Sequence, residues 1–469
     1  MFRHAFLAPL YSFLLLTAAC TGTAITTGAT VGSCGSPGAN MNEHDVGDEP
    51  GGVALDLGEL AVAPSGAFVV FKGTSDLLVG WPFDAHVDEL SVKWPTRLAF
   101  SRKRTVVYVG SALDDRIHAV DVAFDEELWS APIFGTSSLE MRLTASKDDR
   151  RLLVANGAHL DILDAETGKR IAQHDFASSV VDLQILPGDQ RALVVTQHNW
   201  PSSASAPNTE IEVVSLLDGK VTSFDVPNCS SELAVTPDGS RAFLSPSFCN
   251  KDPISVLDLT PGKEGWVKNL PGFGPLALGP TGSTAVAFLD TQNLDETLFD
   301  DPAQIPAHAK TDLRYHLMTL DTGTLKYEFT LWGDSLPRYQ LTPDGRELLV
   351  DEPWSATAEL RPVHIFDTES RVLRKVQGVP VVLDNFVLTD DSKHVYALTN
   401  ALVDLDIVAG TAETMETGII SPQNINTSPD GAKLYLREST TSICIYDVAT
   451  QACTGHFAGP RPVRATTQF

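Results

Sequence analysis

Apolar residues in this chain fall in short runs separated by polar turns. Residues 242–244 (AFL), 347–350 (ELLV) and 433–436 (KLYL) are typical. Each run follows a tight turn such as Thr236-Pro237-Asp238-Gly239. Runs of this length, bounded by Gly, Pro and Asp, predict β-strands buried between stacked sheets. The turn element recurs nine times, at residues 64–66, 101–103, 146–148, 187–189, 237–239, 280–282, 343–345, 390–392 and 429–431. Successive turns lie mostly about forty to fifty residues apart, enough chain for four strands. The interval from Pro280 to Pro343 is longer.

A second landmark follows six of these turns, an aliphatic strand ending in Asp. It appears at residues 117–121 (IHAVD), 160–164 (LDILD), 254–258 (ISVLD), 316–321 (HLMTLD), 363–367 (VHIFD) and 443–447 (ICIYD). An Asp that recurs once per unit, with Gly or polar residues soon after, closes a turn by accepting backbone amide protons. In the first turn, Pro presets φ, Asp caps free amides and Gly takes the positive φ that closes the hairpin. Both landmarks therefore read as structural punctuation.

Strand-only units at this period predict an all-β fold, a single β-propeller of about eight four-stranded blades, within a range of seven to nine. Nine units are counted, and the strand near residues 53–57 is a candidate for helping to close the ring. Residues 106–121 (VVYVGSALDDRIHAVD) resemble the YVTN-type repeat of surface-associated bacterial and archaeal β-propellers, with Gly110-Ser111 where that family often has Thr-Asn. Residues 160–172 and 443–453 resemble the same unit and the related blades of quinoprotein and lactonase propellers. The resemblance spans residues 53–458 and implies a propeller, most often seven-bladed in that family; its motifs are structural and specify no activity.

The start of the chain has a different character. Residues 1–20 carry a basic start at Arg3 and His4, an apolar stretch through Leu16, then Thr17-Ala18-Ala19 before Cys20. This layout predicts a secretory signal peptide over residues 1–19, too short to span a bilayer. The Cys at the cleavage point resembles a bacterial lipoprotein signal, which implies lipidation of Cys20 and membrane contact through that residue only. Thr17 stands where such signals usually have an aliphatic residue. By the same resemblance, Thr21 after the Cys implies outer-membrane anchoring in the cell envelope. Residues 20–52, rich in Gly, Ala, Thr, Ser, Asn and Asp, predict a flexible tether, and residues 459–469 a C-terminal tail.

Composition narrows the partners. The 469 residues include 34 Lys and Arg against 60 Asp and Glu, a net charge of −26. Phosphate binding needs a basic face, so nucleic acid is excluded as a partner. Hydrophobic residues make up 43%, enough for a substantial core.

Motifs for chemistry are missing. The sequence has no G-x-S-x-G elbow, H-E-x-x-H helix, P-loop or EF-hand loop. Gly272-Phe273-Gly274 lacks the third glycine spacing and the following helix of a dinucleotide loop. His118, His316 and His364 occupy similar points of different units, which leaves two readings: a histidine ring at the central channel, or side chains packed between sheets or facing solvent. No catalytic, cofactor-binding or metal-ligating residue is assigned, and no cofactor is expected.

An exported protein meets an oxidising compartment, and disulfides are expected for Cys229 with Cys249 and Cys444 with Cys453, leaving Cys34 as a tether thiol. Two excursions break the repeat: residues 290–314, with six Asp or Glu, and residues 198–208, with Trp200 in a Ser/Ala/Pro cluster. Long insertions in blades form surface loops where binding determinants are placed. The sequence is thus read as an envelope-anchored propeller acting as a non-catalytic binding or assembly scaffold for a protein or surface ligand. The alternative is a propeller enzyme, lactonase-like or quinoprotein-like, with its site at the channel.

Overall fold

The computed structural model describes residues 53–458 apart from 55–59, 73–75, 84–85, 125, 135–140, 198–208, 227–231, 246–252, 280, 291–296, 298–312, 320–324, 332–337, 352–362, 380, 382–384, 400, 417–423 and 440–441. The described strands form nine sheets, numbered here as blades 1 to 9: residues 60–93, 95–132, 142–175, 179–226, 232–270, 273–331, 338–375, 386–415 and 424–458. Each blade holds one of the nine turn elements. The expected all-β propeller is the observed fold, with a sheet count at the upper end of the seven to nine expected.

Every blade is an antiparallel meander of four strands. In blade 2 the second strand, Val106–Ser111, is buried along its whole length, because one sheet covers each of its faces. Its alternate residues serve opposite neighbours. Val107 and Val109 pack with Val70, Val79 and Leu90 of blade 1, while Val106 and Tyr108 pack with Leu143, Leu152 and Val154 of blade 3. Fourth strands lie at the rim: in Arg170–Asp175 of blade 3 half-buried and exposed positions alternate. First strands lie innermost. Arg97 of blade 2 donates through Nε to the Met141 carbonyl (2.9 Å), and Arg142 of blade 3 through Nη2 to that of Val181 (3.2 Å), joining the inner strands of consecutive blades.

The ring closes between blades 1 and 9 without sharing a strand. Each takes its four strands from its own continuous stretch. Val69 and Leu78 of blade 1 pack against Tyr435, Ile443, Ile445 and Phe457 of blade 9. The strand Val53–Ala54, a candidate for this closure, instead pairs with Pro95–Phe100, the innermost strand of blade 2. That inner edge is an open row of backbone donors and acceptors, which the short strand covers. Gln377–Gly378 adds to the opposite, outer edge of blade 8.

Antiparallel order separates the two ends of the ring. Turns joining first to second and third to fourth strands fall at one end, here the turn end. Connections from second to third strands, and from one blade to the next, fall at the other, the loop end. All the repeated landmarks occupy the turn end. In blade 5 Thr236 Oγ1 donates to Asp238 Oδ1 (2.6 Å), the Gly239 amide to the Thr236 carbonyl (2.7 Å), and Gly239 has φ 67°. The strand-ending aspartates close the second turn as expected: Asp164 Oδ1 accepts the Thr167 amide, and Asp447 Oδ1 the Thr450 amide. Hydrogen bonds from the Thr450 amide and hydroxyl hold the Asp447 carboxyl below its ordinary range.

Candidate functional site

Long connections are confined to part of the loop end. Between second and third strands the chain runs through residues 198–208 in blade 4, 246–253 in blade 5, 291–312 in blade 6 and 352–362 in blade 7. In the other five blades this connection has two to four residues. Both excursions expected from sequence, 198–208 and 290–314, are therefore of this kind and spring from the same end. Residues 198–208 and most of 290–314 lie outside the described residues, but their roots do not. Gln197 pairs with Thr209, and Asp290 with Leu313, so each excursion starts and returns on adjacent strands.

Beside this sector, the loop end of blades 2 and 3 carries exposed apolar side chains and two ionic clusters. Trp94, Leu113 and Phe134 are exposed. Backbone hydrogen bonds link their segments, from the Ala112 amide to the Trp94 carbonyl (3.0 Å) and from the Ile133 amide to the Asp115 carbonyl (2.8 Å). Trp94 has φ 51°, a conformation costly for a bulky residue. Isolated exposed apolar residues need no explanation, whereas a group of them marks an interaction site.

The first ionic cluster holds His118, on the third strand of blade 2. Its Nδ1 lies 2.8 Å from Glu127 Oε2 and its Nε2 3.1 Å from Asp114 Oδ2. In the second, His159 Nδ1 lies 2.6 Å from Asp175 Oδ1, and Nε2 3.3 Å from Asp161 Oδ1. Arg170 Nε approaches Asp161 Oδ1 to 2.7 Å, an ion pair whose angle falls outside that of a directed hydrogen bond. The Arg170 guanidinium also stacks 4.2 Å over the Phe134 ring. Burial pushes the Asp161 carboxyl up despite the Arg170 guanidinium beside it.

The remaining expected positions are placed as follows. His118, His316 and His364 share one register, the fourth residue from the end of the third strand. That strand lies between the buried second strand and the rim, so the histidine ring at the channel does not form. His118 is buried between blades with both ring nitrogens engaged, and His364 is half-buried. A period in sequence reports angular spacing around the ring and is silent on radius. Cys444 and Cys453 are joined in a disulfide across the third and fourth strands of blade 9. Cys20, Cys34, Cys229 and Cys249 lie outside the described residues. Sequence reasoning missed Asp114, Glu127, His159, Asp161 and Arg170, because strand pairing brings them together from separate segments.

No family model matches the chain, and no curated protein does. Solved structures similar to it include a hydrazine synthase of Kuenenia stuttgartiensis, 18% identical, with 66% of this chain and 95% of that one covered and a TM-score of 0.39. The dihydro-heme d1 dehydrogenase NirN in complex with DHE is 15% identical, with 79% and 78% covered and a TM-score of 0.48. The Dos1 propeller is 11% identical, with 83% and 92% covered and a TM-score of 0.43. At such identities the likeness is confined to fold.

Proposed function

We propose that this chain is a cell-envelope propeller of the YVTN-like kind, tethered through a lipidated Cys20, that acts as a non-catalytic binding or assembly scaffold and engages its ligand with the loop end. One observation carries the reading: the four long second-to-third-strand connections belong to four consecutive blades and rise from one end. Beside them stands the exposed group Trp94, Leu113 and Phe134. The turn end is occupied by turns that hydrogen-bond to one another and has little variable chain to offer. A propeller supplies a rigid platform, so binding determinants fall on the connections it holds in place.

The test is site-specific photo-crosslinking in the native envelope. A photoreactive amino acid is placed at Leu113 at the loop end, or at Leu217 at the turn end, 63% and 67% exposed. Discrete adducts from position 113 and none from 217 are expected. Adducts from 217 alone, or equally from both, would overturn the assignment. In the same cells Cys20→Ser is expected to move the protein from the membrane to the soluble fraction, and continued sedimentation with membranes would refute the anchor.

A further inference from the structure

At the turn end, each turn between first and second strands meets the corresponding turn of the next blade. The second residue of one turn faces the fourth residue of the next, and the two residue types match. Where the second residue is Pro, the next turn brings Gly: a Cβ on Gly239 would lie 3.0 Å from Pro187 Cδ, one on Gly282 2.9 Å from Pro237 Cδ, and one on Gly66 2.9 Å from Pro429 Cδ. Where the second residue keeps its amide proton, the next turn brings Asp. Asp149 accepts the Arg102 and Lys103 amides at 2.8 Å, and Asp189 accepts those of Lys147 and Asp148 at 3.0 and 2.9 Å. At the junction of Pro343 with Ser392, the Ser392 hydroxyl accepts the Asp344 amide (3.0 Å), and by register Pro64 stands opposite Arg104 in the sequence.

Six of the nine junctions in the sequence follow these two matches, two set a proline against a larger fourth residue, and one has neither a proline at the second position nor a side chain at the fourth. Asp390 of blade 8 and Gly431 of blade 9 both border this junction, and a Cβ on Gly431 would meet Thr389 Cγ2 at 3.3 Å in place of a proline ring. The structure has a groove of about 470 Å³ there, bordered by Asp390, Asp391, His394, Tyr396, Asp430 and Val448. Tyr396 is only 2% exposed, and its hydroxyl has no hydrogen-bond partner among the described residues. At the equivalent place in blade 2, the Tyr108 hydroxyl donates to the Ala165 carbonyl (3.1 Å) and accepts from Arg104 Nη2 (2.9 Å). His394 stacks on Tyr396 with the rings 6° from parallel, and its Nδ1 is tied to Asp404 at 2.9 Å. Asp391 and Asp430 each commit Oδ1 to their own turn. Among the described residues, Asp391 Oδ2 reaches only Lys393, an exposed partner at 3.0 Å.

We propose that this groove binds a small organic cation, an alkylammonium group, which the carboxylates of Asp390, Asp391 and Asp430 attract and the Tyr396 hydroxyl hydrogen-bonds. The stacked aromatic pair offers a face suited to a cation. The net charge of −26 raises the local concentration of cations and opposes an anion. A volume of this size accommodates a small ligand.

The experiment is titration of the purified full-length chain with butylammonium, n-butanol and acetate, read by calorimetry and ligand-observed NMR. Saturable binding of butylammonium is expected, with butanol at least about tenfold weaker, since it lacks the charge. Tyr396→Phe keeps the ring and should weaken binding about fivefold, the loss of one hydrogen bond. Asp390→Pro restores the Pro–Gly match of the other junctions; it should weaken binding more than about tenfold while the protein still unfolds cooperatively. No saturable binding, butanol binding as tightly as butylammonium, acetate as the ligand that titrates, or unchanged binding by Asp390→Pro would each overturn the proposal.

Discussion

The buried carboxyl group of Glu212 adds a pH dependence of its own to the stability of the fold. Glu212, on the third strand of blade 4, is 3% exposed. Its Oε1 accepts a long hydrogen bond from Thr196 (3.4 Å), while Oε2 is buried without a partner among the described residues. Burial first, and the neighbouring Glu210 second, push its pKa from an ordinary 4.5 up to about 7. Between these values the folded protein keeps a proton that the unfolded chain has released, so stability falls as pH rises through this window and levels off above about 7. The difference corresponds to about 3 kcal/mol. Glu212→Gln removes the titration and keeps the shape. In denaturant unfolding across pH 4.5 to 8, the wild type is expected to lose about 3 kcal/mol relative to Glu212→Gln as pH rises. Parallel stability curves would show that the carboxyl group is solvated or ionised in the fold.

The turns are the elements most legible from sequence, and their energetics can be separated by substitution. Asp149 sits at φ 61° and accepts two amides and the Ser101 hydroxyl (2.9 Å) from the preceding blade. Asp149→Ala loses these charge-assisted bonds and keeps the unfavourable φ, an expected cost of about 3 kcal/mol. Asp149→Gly loses the same bonds but relieves the backbone, so it should cost about 1 kcal/mol less. Equal losses in chemical denaturation would mean that backbone strain is negligible at this position. The nine turns and the Asp-ending strands were visible in the one-dimensional pattern because local hydrogen bonds demand particular residue types at short range. The disulfide pair Cys444 and Cys453 was legible for a similar reason, since both lie on one hairpin. Pairing between blades was not legible. That Asp149 serves residues 102 and 103, or that Asp390 opposes Gly431, follows only once the ring fixes which turns face each other. The cluster of His159, Asp161, Arg170 and Phe134 was hidden in the same way, because Phe134, on the connection after blade 2, lies against Arg170 and His159 of blade 3.

At the scale of the whole molecule, the ring is completed by side chains, since blades 1 and 9 share no strand. The loop end can vary in connection length because backbone pairing within each blade does not depend on it, whereas the closing seam depends on close packing. Gly80 on the third strand of blade 1 lies so near blade 9 that an added Cβ would come 2.9 Å from the Phe457 ring. Phe457 is fully buried and stacks with Tyr435 at a centroid distance of 6.4 Å. Gly80→Val should therefore overpack the seam and destabilise the fold by about 3 kcal/mol. Phe457→Leu alone should cost about 1 to 2 kcal/mol through lost contact. Combined, the smaller ring position makes room for the added methyl groups, so the double variant should be more stable than Gly80→Val alone. A double-mutant cycle with an interaction energy of about 1 kcal/mol or more is the expected result. Strict additivity would place Gly80 and Phe457 out of contact and leave the seam to the packing of Val69 and Leu78 against Tyr435, Ile443 and Ile445.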